Sequence, residues 1–155
     1  MTTVNCKVLF GVACIVFGTL GYAAEKPVSR AELPSAVQKT ADEQSKGATI
    51  KRFVKDNEDG QLEYEMEMVV NGHSKDVSIA PDGRLLEIEE QVELSQLPPG
   101  VRDGLQNKAG KGTITKVELI TKNGKVVAYE AQVRTSGRHS EIQVGPNGEP
   151  LSHEE

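Results

Sequence analysis

The sequence has no tryptophan, three tyrosines, three phenylalanines and two cysteines in 155 residues. Both cysteines, Cys6 and Cys14, lie in one apolar N-terminal segment, so the remainder of the chain has none. That absence excludes a disulfide framework and a thiol nucleophile beyond the segment. No basic patch is present either. Binding to nucleic acid needs phosphate neutralisation and usually aromatic stacking platforms, and both are missing. Long apolar runs are confined to the N-terminus. No Ser-His-Asp, Cys-His or phosphate-cradling motif occurs, and the reading is of a non-enzymatic chain without a cofactor or bound metal.

The N-terminal segment reads as a targeting signal. One positive charge, Lys7, precedes the uncharged VLFGVACIVFGTLG, and GYAAEK offers small residues for cleavage. Gly21 and Ala23 satisfy the small-x-small rule for a cut after Ala23, whereas a cut after Ala24 places Tyr22 where a small residue is preferred. The apolar run Val8 to Ala24 is 17 residues. That is just short of the roughly 20 that cross a bilayer. We therefore expect residues 1–24 to be a cleavable signal peptide and the protein to be periplasmic or secreted. An uncleaved membrane anchor is the alternative, and the only route to a membrane. Lipidation at Cys14 is set aside, because Gly11 stands where an apolar residue is needed.

Charge is uneven beyond that point. Glu25 to Val92 carries 15 acidic and 9 basic residues, net −6, while Glu93 to Glu155 carries 8 of each. An acidic first half aids solubility and attracts cationic groups.

The rest of the chain repeats itself. ELPSAV (Glu32–Val37) matches QLPPGV (Gln96–Val101), GATI matches KGTI, and EDG matches KNG, all 64 residues apart. YEMEMVVNG from Tyr64 matches YEAQVRTSG from Tyr129, and PDG at Pro81 matches PNG at Pro146, now 65 apart. The second copy has gained one residue just after its Asn-Gly turn. Two copies, 25–92 and 93–155, account for the pattern.

Each copy opens with a helix. Pro34 and Pro98 suit the first turn. Val37 and Ala41, then Val101, Leu105 and Ala109, form one apolar stripe. Gly47 and Gly110 are fitting helix terminators, and Gly104 weakens the second helix by roughly 1 kcal/mol. Strands come next, joined by Asp59-Gly60, Asn71-Gly72, Asn123-Gly124 and Ser136-Gly137 hairpin turns. Leu62, Tyr64, Met66 and Met68 alternate with Glu63, Glu65 and Glu67. Val127, Tyr129, Ala131 and Val133 alternate with Ala128, Glu130, Gln132 and Arg134. Period two predicts one buried and one wet face. Val77 with Ile79, and Ile142 with Val144, mark the third strands. LLEIEEQVEL makes a fourth strand in the first copy; Pro150 argues against its counterpart. Ile50 and Phe53 have opposite parity, which implies a bulge or a misplaced boundary. The expected fold class is α+β: two tandem repeats of a helix plus a three- to four-stranded antiparallel sheet, helices on one face. Each copy is small for an independent core, so the halves should share one sheet or core.

LPxxV opening each helix, then DG or NG, YE, a later Gly, P-[DN]-G and Leu, cover Ala31 to Leu151. In these motifs the chain resembles the PepSY-like family of bacterial envelope proteins, in the tandem arrangement that is β-lactamase-inhibitor-like. The resemblance implies exported, non-enzymatic modules that bind or inhibit a partner protein, often a peptidase, with an open sheet face opposite the helices. The chain departs from the inhibitors in lacking mature cysteines and in having only Phe53, Tyr64 and Tyr129 as aromatics beyond the leader. β-Lactamase inhibition is therefore not carried over.

The expected binding face consists of the wet-parity residues. These are Glu63, Glu65, Glu67 and Asp76, with Glu87 and Glu89 beside them, then Glu130, Gln132, Arg134, His139, Glu141 and Gln143. The plainer reading of the same residues is a solvated strand face whose carboxylates titrate ordinarily and whose charges deter aggregation. DNEDG fails as a calcium loop, since Lys55 and Met66 fall at the first and last ligand positions. His73, His139 and His153 have no liganding spacing, and SHEE at residues 152–155 is a weak metal grip. The expected partner is an unidentified envelope protein or peptide, and the chain is expected to be a monomer. A sensor for a divalent or other cationic ligand and a structural envelope protein are the alternatives.

Overall fold

In a computed structural model, the structure describes residues 26–58, 60–153 and 155. The expected signal peptide lies outside the described residues. Among those described, no helix is long and apolar enough to cross a membrane.

The chain forms one eight-stranded antiparallel sheet whose strands lie in sequence order. Strand β1 (Lys26–Val28) is followed by a 3-10 turn and helix α1 (Ser35–Gln44). Then come β2 (Thr49–Glu58), β3 (Gln61–Val70), β4 (His73–Ile79) and β5 (Leu85–Gln91). A second 3-10 turn and helix α2 (Pro99–Ala109) precede β6 (Thr113–Lys122), β7 (Lys125–Thr135) and β8 (Arg138–Val144). β5 pairs with β6, so both halves contribute to one sheet. The architecture is α+β.

Both helices cover the same face. Pro34 and Pro98 occupy the N-cap positions, where a missing N–H costs nothing. Val37 and Ala41 pack on Phe53, Tyr64, Met66, Met68, Val77 and Ile79. Val101 and Leu105 pack on Val117, Ala131 and Val144. Val37, Val101 and Leu105 are wholly buried. Each contributes roughly 1.5–3 kcal/mol by removal from water. Ala109, expected on the stripe, is only half-buried.

The turns account for the repeated phrases. Asn71-Gly72, Asn123-Gly124 and Ser136-Gly137 all take positive φ, as two-residue hairpin turns of the primed type require. Glu58 pairs with Gln61 across the first hairpin, where Gly60 takes φ +79°. The glycines of PDG and PNG have a second role. Gly83 has φ +86°, and a Cβ there would lie 2.8 Å from the Ala36 carbonyl oxygen of α1. Gly148 has φ +87°, and its Cβ would lie 2.0 Å from the Gly100 oxygen of α2. Each turn therefore lies directly on its helix, and Thr40 Oγ1 donates to the Gly83 carbonyl at 2.6 Å.

Four bulges set which residues face which way, one of them at Leu86, between the Ser78–Glu87 and Ile79–Leu85 pairs. Ile50 pairs with Met68 but Arg52 with Glu67, so Lys51 is the extra residue and both Ile50 and Phe53 face the helices. Ile114 pairs with Val133 and Lys116 with Gln132, which makes Thr115 the extra residue in β6. Ile120 pairs with Ala128 and Thr121 with Val126, which leaves Val127 bulged. Val127 falls in the interval where the spacing between the halves changes from 64 to 65, and the bulge absorbs the added residue.

Candidate functional site

Among the described residues, no helix covers the second face of the sheet. The ladder registers place Arg52, Glu63, Glu65, Glu67, Ser74, Asp76, Ser78, Glu87, Glu89 and Gln91 on it from the first half. The second half adds Lys116, Glu118, Ile120, Lys122, Ala128, Glu130, Gln132, Arg134, His139, Glu141 and Gln143. The residues that strand alternation assigns to the open face all lie on this side.

The expectation of a uniformly wet face is not met. Glu63 is 9% exposed, Gln143 5% and Ala128 fully buried, although no helix lies above them. Val54 and Ile120 are also on this face and also buried. Adjacent strands lie less than 5 Å apart, so long neighbouring side chains shield what stands between them. Glu65, Glu67, Asp76, Glu130 and Gln132 are half-buried, and of the expected set only Arg134, His139 and Glu141 are exposed. The face is a packed polar surface rather than a loose fringe of charge.

At its centre, where the two halves meet, like charges stand opposite one another. Glu67 pairs across with Asp76, Asp76 with Glu89, and Glu118 with Glu130. Opposed like charges destabilise a sheet. Carboxylate oxygens of Asp76, Glu89 and Glu118 lie within 4.8 Å of one another. Burial, then Glu118, pushes the Asp76 carboxyl up to about 6, against the pull of Lys116. Burial pushes Glu89 further, up to about 9, assisted by a hydrogen bond with Glu87 and by the charges of Glu87, Glu118 and Glu130. These two carboxylates do not titrate as ordinary surface acids, contrary to the expectation from exposed strand alternation. At neutral pH Glu89 holds a proton.

Cations frame the cluster. Lys116 Nζ lies 2.6 Å from Glu118, which also accepts from Ser74 Oγ at 3.4 Å. Lys122 bridges Glu87 at 3.0 Å. Arg52 pairs with Glu67 at one margin, and Gln143 donates to Glu130 at 2.9 Å on the other. The three central carboxylates offer one oxygen each toward a common point, the donor chemistry of a hard cation or an ammonium or guanidinium group. Beside β8, Gln132, His139, Ser140 and Glu141 line an open cleft of about 390 Å³.

Glu118 is the residue that sequence reasoning missed. In ITKVELI it shares parity with Ile114, which marks it as inward-facing unless a bulge intervenes. The signal was available: the parity clash of Ile50 with Phe53 repeats 64 residues on as Ile114 with Val117. His73 and His153 take no part in the cluster. His73 is on the helix side, and the His153 imidazole contacts Ser152 and Glu155.

No protein-family model matches the chain, and no curated protein sequence does. Solved structures do match. One is a protein from Bacteroides eggerthii described as periplasmic: TM-score 0.63, 19% identity, covering 77% of this chain and 86% of that one. A DUF2874 family protein from Bacteroides ovatus gives a TM-score of 0.61 at 18% identity, over 77% and 85%. A BLIP-like protein from Bacteroides fragilis gives 0.57 at 19% identity, over 76% and 83%. At this level of identity the comparison establishes fold alone: the chain has the BLIP-like α+β fold.

Proposed function

We propose that this chain is an exported, non-enzymatic binding module, built from two tandem helix-plus-sheet repeats, which recognises a partner through its uncovered sheet face. The reading rests on one observation: the convergence of Asp76, Glu89 and Glu118 at the seam of the halves. A face that merely needed solubility would separate its charges. This one opposes carboxyl groups in three cross-strand pairs, at a cost in stability that the retained proton of Glu89 reduces. A cationic group arriving from a partner, a lysine or arginine side chain, relieves that repulsion and displaces the proton from Glu89. Glu65, Glu67, Glu130, Gln132, His139 and Glu141 surround the cluster and supply polar contacts, with Glu63 supporting them from below. Export is supported by the signal-like segment at residues 1–24, and the periplasmic description of the Bacteroides eggerthii protein fits it. Tethering or inhibition of an envelope protein is the outcome that the motif resemblance to PepSY-like modules implies.

A second reading, a divalent-cation sensor, is favoured by the same donor set, since three carboxylate oxygens form half of a calcium shell. One experiment separates the readings. The chain and a variant carrying Asp76→Asn, Glu89→Gln and Glu118→Gln serve as baits for envelope extract of the source organism, with calcium and with chelator. One protein captured by the native bait alone, regardless of calcium, supports the first reading. Calcium-dependent melting without capture supports the second. Equal capture by both baits removes the site from this face.

A further inference from the structure

The two edges of the sheet are built differently. Among the described residues, β1 spans Lys26–Val28, with Lys26 and Pro27 in it. Lysine and proline are devices by which proteins blunt a sheet edge. β8 at the other edge has seven residues, RHSEIQV, with neither lysine nor proline. Its first four residues are exposed.

The first half shows what normally lies beside such a strand. There β4 pairs with β5, beginning at Ile79 opposite Leu85. Sixty-five residues later the same pairing starts again, Val144 opposite Pro150, and stops after that single bridge. Proline at this point removes a ladder N–H. The chain then leaves the edge for the open face, where the Glu155 amide donates to Gln143 Oε1 at 2.8 Å. Among the described residues, no strand fills the place of β5 along Arg138 to Ile142, and the next carbonyl, that of Gln143, accepts from Lys108 Nζ at 2.9 Å. In an antiparallel strand every second residue turns its N–H and C=O outward, so a row of backbone donors and acceptors is presented there.

The charges of β8 identify the occupant. Pairing must join residues of equal parity, so that helix faces meet helix faces. Among antiparallel registers of β8 with itself, one centred on Glu141 opposes two carboxylates, and one centred on His139 opposes two imidazoles. The register centred on Ser140 instead sets His139 against Glu141 twice, and Arg138 against Ile142 twice. The first pair is a hydrogen-bonding match and the second lays an aliphatic stem over an apolar side chain. The twofold axis then stands normal to the sheet. It keeps all four helices on one side and joins the two open faces into one.

We infer that β8 is a self-complementary interface, by which two copies of this chain pair edge to edge in the Ser140-centred register. The assembly is a dimer with a sixteen-stranded sheet, in place of the monomer expected from the sequence. It goes beyond the binding module proposed for the sheet face and does not depend on the acidic cluster.

The test uses the full chain with Cys6→Ser and Cys14→Ser, so that added cysteines are the only thiols. Directly opposed residues in an antiparallel pair have Cα atoms about 4.5–5.5 Å apart, within the span of a disulfide. Ser140→Cys should form a disulfide-linked dimer under mild oxidation. Glu141→Cys should not, because that register separates the two sulfur-bearing Cα atoms by about 8 Å. In sedimentation, the chain without added cysteine should show a dimer in equilibrium with monomer, and Glu141→Lys should weaken it about tenfold or more. Adding His139→Glu to Glu141→Lys should restore it. A single-chain mass up to about 1 mM, beyond which association would be negligible, overturns the inference. So does cross-linking of Glu141→Cys in preference to Ser140→Cys, or a dimer indifferent to Glu141→Lys.

Discussion

Replacing Glu89 by glutamine should stabilise the protein, and by more as pH rises. In the folded state Glu89 is held up to about 9, first by burial and then by its hydrogen bond and repulsion with Glu87. An unfolded glutamate titrates near 4.3. Between these values the folded state retains a proton that the unfolded chain releases, so the unfolded state gains with every increment of pH. Stability from this group is therefore fullest below about pH 4 and declines as pH rises toward 9. Each unit corresponds to about 1.4 kcal/mol, which for an undivided shift gives about 3–4 kcal/mol at pH 7. Glu89 titrates together with its neighbour and solvent screens the partly exposed group, so about 1–3 kcal/mol is expected there. Glutamine mimics the protonated acid in size and in donating a hydrogen bond. Urea denaturation of both proteins at pH 5, 7 and 9 reads the effect directly. The variant should be nearly equal at pH 5, and ahead by a margin that widens at pH 7 and again at pH 9. A margin independent of pH, or a variant less stable than the native chain at pH 9, would refute the reasoning.

Three further outcomes are expected from the same geometry. Asp76, pushed up to about 6, retains a proton as the pH rises past the ordinary aspartate range; Asp76→Asn should remove a loss of about 1 kcal/mol between pH 4 and 7, visible as a flatter melting-temperature profile. Gly104→Ala should destabilise by about 2 kcal/mol or more in chemical denaturation. Its Cβ would lie 2.3 Å from the Gly148 carbonyl oxygen, although helix propensity alone favours alanine by about 1 kcal/mol. Leu105→Ala removes a wholly buried side chain beneath α2; a loss of about 2–5 kcal/mol is expected in the same assay.

Much of the architecture could be read in the sequence because it is encoded in local chemistry. Positive-φ turns need Asn-Gly or Ser-Gly, and these pairs stand where the strands reverse. Strict alternation in QLEYEMEMVV fixed which side of β3 meets the helices. The glycine of each P-[DN]-G phrase was legible as a turn residue, but not as a contact: the approach of Gly148 to the α2 backbone is a tertiary fact. Gly104 was misjudged for the same reason, as a weak point in a helix rather than the place where that turn fits.

The site was legible in outline only. Parity assigns a face without specifying depth. Ala128 and Glu63 have the right parity for water, yet they are buried, because the side chains of adjacent strands crowd over them. Bulges were harder still. A single extra residue at Thr115 reverses the orientation of the residues after it and brings Glu118 beside Asp76 and Glu89. No local signal in TKVELI marks it, apart from the same irregularity in the first half. The perturbed titration of Asp76 and Glu89 arises from pairing across β4, β5 and β6, which no single strand contains.

Carboxylate footprinting tests the central claim most directly. The chain is exposed to a carbodiimide with glycine ethyl ester, with and without the protein captured from envelope extract, and labelling is read residue by residue by mass spectrometry. Our account predicts protection at Glu67, Asp76 and Glu141 on the uncovered face, with Asp42 and Asp103 on the helices labelled as before. Protection of Asp42 and Asp103 with the sheet carboxylates unchanged would place recognition on the helical side and contradict it.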